Sequence, residues 1–195
     1  TFQYIFFQND PAPPNTSKSW IVAPVRCVED PPDPPATFSE RKRLHHSKGE
    51  GDRDPALADA PPMHLARVAR EGTDATIVTY GAQVRTALDA ALAAEDEGTS
   101  CEVIDLRSLS PIDMNTVAAS VRKTGRVVVT HEAAREAGVG AELVASITEQ
   151  CFHYLETPPQ RVTGHDIPYP PSKLAKHHVP DLDRILFAVD RVLER

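Results

Sequence analysis

His131 and Glu132 are the side chains of this sequence best suited to moving a proton, because imidazole and carboxylate groups are common general acids and bases. They directly follow a β-branched run at residues 126–130 that predicts a buried strand. Ligands of α/β proteins commonly bind at the carboxyl ends of such strands, so a catalytic acid–base pair is one interpretation. No nucleophile or set of metal ligands is identifiable near the pair in the sequence. We therefore predict a structural or interface role for both residues.

Two other segments contain residue types that occur in ligand sites. Gly138 and Gly140 precede a helical stretch and could turn backbone amides toward a phosphate, but Leu143 interrupts the full G-x-G-x-x-G pattern. We predict that these glycines permit close backbone packing instead. His177 and His178 lie in a segment bounded by prolines, and we expect both to be exposed in a loop.

The strands that would position these residues are predicted from short apolar runs. The runs cover residues 75–80, 101–106, 126–130 and 161–164, and a candidate edge strand covers residues 67–71. Most of the runs are continuous rather than alternating, which is typical of strands covered by helices on both faces. Helical patterns lie between them. We predict a three-layer α/β/α domain with a mixed, mostly parallel, five-stranded sheet.

Apolar residues at helical spacing predict four helices, which begin near Val84, Ser110, Val139 and Leu182. In the second helix, Ser110 is the predicted N-cap, Pro111 suits the first turn, and Asp113 takes the acidic position of a capping box. Gly125 is predicted to end this helix. The apolar stripes of all four helices are interpreted as core.

Composition excludes several classes of protein. The 195 residues carry a formal net charge of −7 with 41% hydrophobic residues, and no apolar run approaches the roughly 20 residues that cross a bilayer. Lysines and arginines are scattered, so we expect neither nucleic-acid nor membrane binding. Cys27, Cys101 and Cys151 show no C-x-x-C spacing, which favours a reducing compartment without a zinc site or a disulfide framework.

Proline content divides the chain. Of its 18 prolines, 11 precede Met63, and this density is incompatible with continuous helix or central strand. We predict a Pro-rich irregular N-terminal arm at residues 1–62 and a folded domain at residues 63–195. The chain begins at Thr1 rather than Met, and we interpret it as a fragment.

Six segments, in this order, resemble the beta subunit of 2-oxo acid dehydrogenase decarboxylase components. They are EGTDATIVTYG at 71–81, CEVIDLRSLSPID at 101–113, KTGR at 123–126, HEA at 131–133, GVGAE at 138–142 and RVTGHDIPYP at 161–170. In this family these segments form the transketolase C-terminal domain. The resemblance therefore implies a transketolase C-terminal-domain-like fold for residues 63–195.

The resemblance weakens toward the N-terminus. The segment at residues 36–50 resembles the end of the family's preceding domain, with Arg41 where proline is usual. Nothing upstream resembles the pyrimidine-binding domain or its cofactor-activating glutamate. The resemblance implies thiamine diphosphate and Mg²⁺ as cofactors of the complete enzyme, and we expect neither to bind this chain alone.

In the complete enzyme, the family decarboxylates a 2-oxo acid and transfers the acyl group to a lipoyl arm. The implied partners of this chain are an alpha subunit, a second beta subunit and the dihydrolipoyl acyltransferase core. The IDLR form at residues 104–107 and the HEA triplet resemble branched-chain enzymes more than pyruvate dehydrogenases. Composition suggests a bacterial cytoplasmic origin, with a mitochondrial matrix as the alternative.

Two other functions remain open at this stage. The chain could be the C-terminal domain of a transketolase or a deoxyxylulose-phosphate synthase, although no cluster of Arg and His around a Ser suggests a sugar-phosphate site. It could also be a non-catalytic interaction module.

The resemblance also implies a docking surface for the acyltransferase core. In the family, an acid in an L-[DE]-A-P context contributes to this surface. Leu155, Glu156, Thr157 and Pro158 match the context except at Thr157. We predict that Glu156 and the C-terminal carboxylate of Arg195 contribute to docking, with a solvated helix-end acid as the alternative for Glu156.

Overall fold

The computed structural model of the chain describes Pro62, residues 64–171 and residues 173–194. Its strands are β1 (Arg67–Arg70), β2 (Ala75–Thr79), β3 (Cys101–Asp105), β4 (Val127–Ala134) and β5 (Gln160–Gly164). Its helices are α1 (Gln83–Asp96), α2 (Met114–Thr124), α3 (Val139–Cys151), α4 (Ala175–His178) and α5 (Leu182–Leu193), with a short 3-10 helix at Phe152–Tyr154.

Two predictions concern the N-terminal part of the chain. Apart from Pro62, the predicted arm and its segment at residues 36–50 lie outside the described residues. The chain divides into units at residues 1–60 and 61–195, and only the second unit contains described residues.

The five strands form one sheet in the order β1-β3-β2-β4-β5. Strand β1 runs antiparallel to β3, and the other neighbouring pairs are parallel. The prediction of a mixed, mostly parallel sheet with an edge strand near residue 67 is confirmed. Parallel neighbouring strands cannot be joined by a tight hairpin, so the chain must cross over the sheet between one strand and the next. The helices supply these connections.

Helices cover both faces of the sheet, as the continuous apolar runs predicted. One buried cluster joins α1 and α5 to alternate strand residues such as Ile77, Val103 and Val128. The other joins α2 and α3 to the intervening residues, among them Val78 and Ile104. Successive strand residues point to opposite faces, so each central strand contributes to two cores. The described residues therefore build the predicted three-layer α/β/α domain.

The beginning of α2 differs from the prediction. The N-cap is Asp113, and Ser110 and Pro111 precede the helix in a loop. The Asp113 carboxylate accepts hydrogen bonds from Thr116 N at 3.2 Å, Thr116 Oγ1 at 2.6 Å and Ala66 N at 3.0 Å. Burial alone would raise the pKa of Asp113, but these hydrogen bonds to the charged form lower it. A carboxylate therefore satisfies both the helix terminus and the segment that leads into β1, which a serine at position 110 could not do.

Polar groups also attach α2 to the sheet. Thr76 Oγ1 in β2 lies 2.7 Å from Ser120 Oγ and 2.7 Å from Thr124 Oγ1. Glu102 in β3 pairs with Lys123, and its side chain is only 2% exposed. Burial would raise the pKa of Glu102, but hydrogen bonds from Lys123 and Ser120 outweigh it and lower the pKa. Glu102 is therefore a buried carboxylate held in its charged form.

Replacing Glu102 with Gln should destabilise the domain by about 2 kcal/mol at neutral pH. The loss should be smaller than for a fully buried ion pair because the Lys123 side chain is 41% exposed. Since folding lowers the pKa of Glu102 below its ordinary value of 4.5, its contribution is present above that pH and is lost as the pH falls through the folded pKa. Urea unfolding at neutral and acidic pH measures the difference between variant and wild type, which should shrink in acid.

Glu71 provides a matched control, because it contacts the same ammonium group at 3.1 Å while its side chain is 80% exposed. Glu71→Gln should change stability by less than about 0.5 kcal/mol. Equal losses for the two variants would contradict the importance of burial at Glu102.

Candidate functional site

His131 lies inside β4 near its carboxyl end and is fully buried. The prediction that the strand ends at residue 130 is wrong, because β4 continues to Ala134 and pairs there with Gly164. The register between β4 and β5 shifts between Thr130 and Ala134, so the ladder is irregular where His131 and Glu132 lie. Bulges of this kind are frequent next to functional sites, where they redirect side chains.

The His131 ring is held from two sides. Its Nε2 atom accepts a hydrogen bond from the backbone N–H of Gly140 at 3.1 Å. The Tyr80 ring, just after β2, stacks on it with a centroid distance of 6.0 Å. Because Nε2 accepts, the proton of the neutral imidazole lies on Nδ1. Burial lowers the pKa of His131, with the nearby Ala133 backbone opposing and the Arg161 charge reinforcing the shift. His131 is therefore a neutral side chain that connects β4 to the beginning of α3.

The two glycines at the beginning of α3 are required by this histidine. A Cβ atom on Gly140 would overlap Nε2 of His131 and lie 2.8 Å from its Cδ2. A Cβ atom on Gly138 would lie 2.9 Å from its Cε1 and overlap the carbonyl oxygen of Ala134. The prediction that Gly138 and Gly140 serve close packing is confirmed. The Gly140 amide already donates to His131, which argues against a phosphate cradle at this turn.

A second histidine also packs closely against a glycine, at the end of β5. His178, predicted to be exposed, is buried in α4, whereas His177 is exposed as expected. A Cβ atom on Gly164 would lie 2.7 Å from Nε2 of His178, and the Tyr169 ring packs edge-on at 5.1 Å. Burial lowers the pKa of His178, and the nearby His165 and Arg184 lower it further. The short helix α4 turns one of two adjacent histidines inward, which proline spacing alone could not reveal.

Glu132 is buried beside His131, and its backbone carbonyl approaches Gly164 closely. His131 and Glu132 near the end of β4, and His178 against Gly164 at the end of the parallel strand β5, therefore lie at the same carboxyl edge of the sheet in separate surroundings. This edge is the candidate functional site. Sequence reasoning missed the burial of His178, for which the available signal was Gly164, the last residue of β5.

Glu156 lies elsewhere, after the short 3-10 helix. Its carboxylate forms an ion pair with Arg126, and its backbone N–H donates to Gly125 O at 2.8 Å. Gly125 ends α2 in a left-handed conformation, and a Cβ atom there would lie 2.9 Å from Glu156 Cγ. The Glu156 side chain is 57% exposed, whereas that of Arg126 is 14% exposed. Glu156 is thus a partly exposed carboxylate fixed against the end of α2.

The neighbouring Thr157 explains how this segment is anchored. Its Oγ1 atom donates to the carbonyl oxygen of Val192 at 3.2 Å, near the end of α5. The last carbonyls of a helix lack intrahelical partners, so this hydroxyl satisfies one of them. Arg195, the other predicted docking residue, lies outside the described residues.

Among Pro62, residues 64–171 and residues 173–194, no group of three or more His, Cys, Asp or Glu side chains could hold a metal ion. Burial raises the pKa of the Cys101 thiol to about 11, so this cysteine stays protonated. Within the same residues, no helix is long and apolar enough to span a bilayer.

The family model described as "Transketolase, C-terminal domain" matches residues 64–185. A solved structure described as "Split gene transketolase, inactive beta4 tetramer" superposes with a TM-score of 0.57 at 30% sequence identity. The superposition covers 68% of this chain and 42% of that one. The match begins where the described domain begins and includes every strand.

Similar curated proteins carry names of two kinds. The 3-methyl-2-oxobutanoate dehydrogenase subunit beta of Mycobacterium tuberculosis is 48% identical over 165 residues, which cover 84% of this chain and 46% of that protein. The pyruvate dehydrogenase E1 component subunit beta of Leifsonia xyli is 48% identical over 174 residues, 89% of this chain and 50% of that protein. The 2-oxoisovalerate dehydrogenase subunit beta of Pseudomonas aeruginosa is 40% identical over 198 residues, 94% of this chain and 54% of that protein. The chain thus spans about half the length of these relatives.

Replacing Gly140 with Ala should destabilise the domain by about 1–3 kcal/mol, because the added methyl group overlaps the His131 ring. The double variant Gly140→Ala/His131→Ala should lose at least about 1 kcal/mol less than the sum of the single variants, since removing the ring makes room for the methyl group. Denaturant unfolding of the four proteins measures this coupling.

The control is Ala141→Ser at the next, exposed position of α3, which should change stability by less than about 0.5 kcal/mol. Strictly additive losses at Gly140 and His131 would show that the two residues do not constrain one another.

Proposed function

Because the chain belongs to the transketolase C-terminal domain family, we propose that it is the C-terminal part of the beta subunit of a 2-oxo acid dehydrogenase decarboxylase component. The carrying observation is the 48% identity over 165 residues to a beta subunit of this class. The complete enzyme would oxidatively decarboxylate a 2-oxo acid and pass the acyl group to a lipoyl arm.

Thiamine diphosphate with Mg²⁺ would supply the carbanion for decarboxylation in that complete enzyme. We assign no residue of this domain to the cofactor. The contribution of this domain is assembly with an alpha subunit and a second beta subunit, and docking of the dihydrolipoyl acyltransferase core. We propose that His131 and Glu132 fix the carboxyl edge of the sheet for that assembly.

The proposed substrate is a branched-chain 2-oxo acid. The sequence Ile-Asp-Leu-Arg at residues 104–107 supports this choice. Proteins named as branched-chain enzymes and as pyruvate dehydrogenases are equally similar to this chain, at 48% identity. Asp105, in the segment that favours the branched-chain class, is partly buried, accepts a hydrogen bond from Arg107 N at 3.1 Å and lies 3.6 Å from Arg67. These contacts connect the end of β3 to the following loop and to β1. The proposed location is the bacterial cytoplasm, in line with the bacterial relatives.

A transketolase function is the second candidate, favoured by the solved split-gene transketolase of similar fold. Its identity of 30% is lower than the 48% shared with dehydrogenase beta subunits. The dehydrogenase assignment is therefore the better supported of the two.

We further propose that Glu156 docks a basic surface of the acyltransferase core. Its carboxylate is partly exposed and held in place by Arg126, so an incoming cation would find it already oriented. The guanidinium of Arg126 also competes with that cation. An electrostatic contact of this kind acts mainly on the association rate and its dependence on salt.

A chimera tests the proposed function. In the Mycobacterium tuberculosis beta subunit, the segment homologous to residues 64–195 of this chain is replaced by those residues, and the product is co-expressed with its alpha subunit. Oxidation of 3-methyl-2-oxobutanoate should stay within about tenfold of the parent, because a difference of about 1.4 kcal/mol is all that a foreign but homologous domain interface should cost. The parent that lacks the exchanged segment is the control and should be inactive. A soluble chimera that binds the alpha subunit but oxidises neither this substrate nor pyruvate would contradict the assignment.

Two variants with opposite expected effects test docking at Glu156. On the same chimera, Glu156→Gln should slow association with the subunit-binding domain of the acyltransferase, whereas Arg126→Met should accelerate it by removing the competing cation. Surface plasmon resonance at low and high salt measures both rates, with the difference disappearing at high salt.

Glu97→Gln, at an exposed acid after α1, is the matched control and should leave the rate unchanged. Identical rates and salt dependence for Glu156→Gln and wild type would remove Glu156 from the docking surface.

A further inference from the structure

Four arginines converge on one groove. Arg135, Arg161, Arg184 and Arg191 line it together with two aspartates, so its charged side chains are mostly cationic. In a chain with a net charge of −7, this concentration of guanidinium groups is a local reversal of charge.

The groove lies between the edge strand β5 and helix α5 and has a volume of about 420 Å³. Arg184, Phe187 and Arg191 are three and four residues apart on α5, so they share one face of that helix. Arg161 enters from β5, and Arg135 enters from the segment after β4. Two acids, Asp181 and Asp183, also line the groove, but Asp181 accepts the Arg184 backbone N–H as N-cap of α5.

Backbone carbonyl groups hold two of the arginines in place. Arg184 Nη2 donates to Thr163 O at 2.6 Å, and Arg161 Nη1 donates to Arg135 O at 3.2 Å. The segment that carries Arg135 is itself fixed, because the Glu136 N–H donates to the Asp166 carboxylate at 2.9 Å. A guanidinium has five N–H donors, so each of these arginines keeps donors for a ligand. A preorganised cation loses less conformational entropy on binding than a free surface arginine.

The apolar member of the groove indicates a macromolecular partner. Phe187 is 65% exposed although it lies among the charged side chains. Arginine and aromatic residues are enriched at the energetic centres of protein interfaces, where the ring excludes water from the charged contacts. A free anion of small size would use the guanidinium groups but would leave the ring in water.

We propose that this groove is a docking site for an acidic segment of another polypeptide, with carboxylates on the four arginines and an apolar side chain on Phe187. It is opposite in sign to the surface at Glu156 and would therefore bind a different partner, or a different part of one. The proposal is independent of the reaction assigned to the complete enzyme, because it rests on the charges and contacts of β5 and α5.

The experiment uses the full 195-residue chain and two labelled synthetic peptides, one of repeated Glu-Glu-Leu units and one of repeated Gln-Gln-Leu units. Fluorescence anisotropy should show salt-sensitive binding of the Glu peptide and at least about tenfold weaker binding of the Gln peptide. Arg135→Glu/Arg191→Glu should weaken binding of the Glu peptide at least about tenfold, and Phe187→Ala at least about threefold. Both exposed arginines can be replaced without disturbing the core, and circular dichroism confirms that each variant is folded.

Arg85→Glu is the matched control, because Arg85 is an exposed arginine of α1 outside the groove, and it should change the affinity by less than about twofold. Equal affinity of the double variant and wild type would overturn the proposal. If inorganic phosphate displaces the peptide completely when both supply the same concentration of negative charge, the groove is a small-anion site and the proposal is overturned. Sedimentation in which wild type self-associates and the double variant is monomeric would overturn it in favour of a second copy of this chain.

Discussion

The central strands of the sheet are covered by helices on both faces, so each strand must fit two hydrophobic cores at once. The rest of the domain depends on this constraint. The side chains of these strands point alternately into two separate cores, so neither core can be altered without shifting a strand that also serves the other. The polar groups of this interior must then be satisfied locally. Thr76 meets Ser120 and Thr124, and Glu102 meets Lys123. These contacts fix α2 in one position over the sheet, because sliding the helix would leave buried polar groups without partners.

The same constraint is strictest where the strands end. There the chain must leave the sheet within a few residues, and backbone segments approach one another closely. Two glycines meet this requirement by leaving space for an imidazole ring, Gly140 for His131 and Gly164 for His178. Both histidines have lowered pKa values because they are buried, so each acts as a neutral, rigid, polar spacer. The edge that α/β proteins commonly use for ligands is thus filled largely by the domain's own side chains.

The sequence predicted the strands well because β-branched runs such as residues 101–105 and 127–130 have no competing helical period. It was less informative wherever a residue's role depends on a distant partner. Asp113 is predicted to take the acidic position of a capping box, but it is the N-cap itself and also accepts from Ala66 N, 47 positions away. Arg126 and Glu156 become partners only because Gly125 turns the chain back toward the later segment. The arginines of the groove come from three elements, so only Arg184 and Arg191, seven positions apart on α5, could have been grouped from sequence.

Helix α5 completes the core on one face of the sheet, since Ile185, Val189 and Val192 pack with α1 against residues of β2, β3 and β4. During synthesis from the N-terminus, α1 is the only helix on this face until residue 193 has left the ribosomal exit tunnel, although all five strands of the described domain have been made by residue 164. The opposite face, covered by α2 and α3, is complete much earlier in translation. The nascent chain therefore carries a half-covered sheet for the time needed to make about 30 residues, a few seconds at ordinary rates of elongation. Over that interval, the apolar residues that α5 later covers stay accessible to water and to other chains.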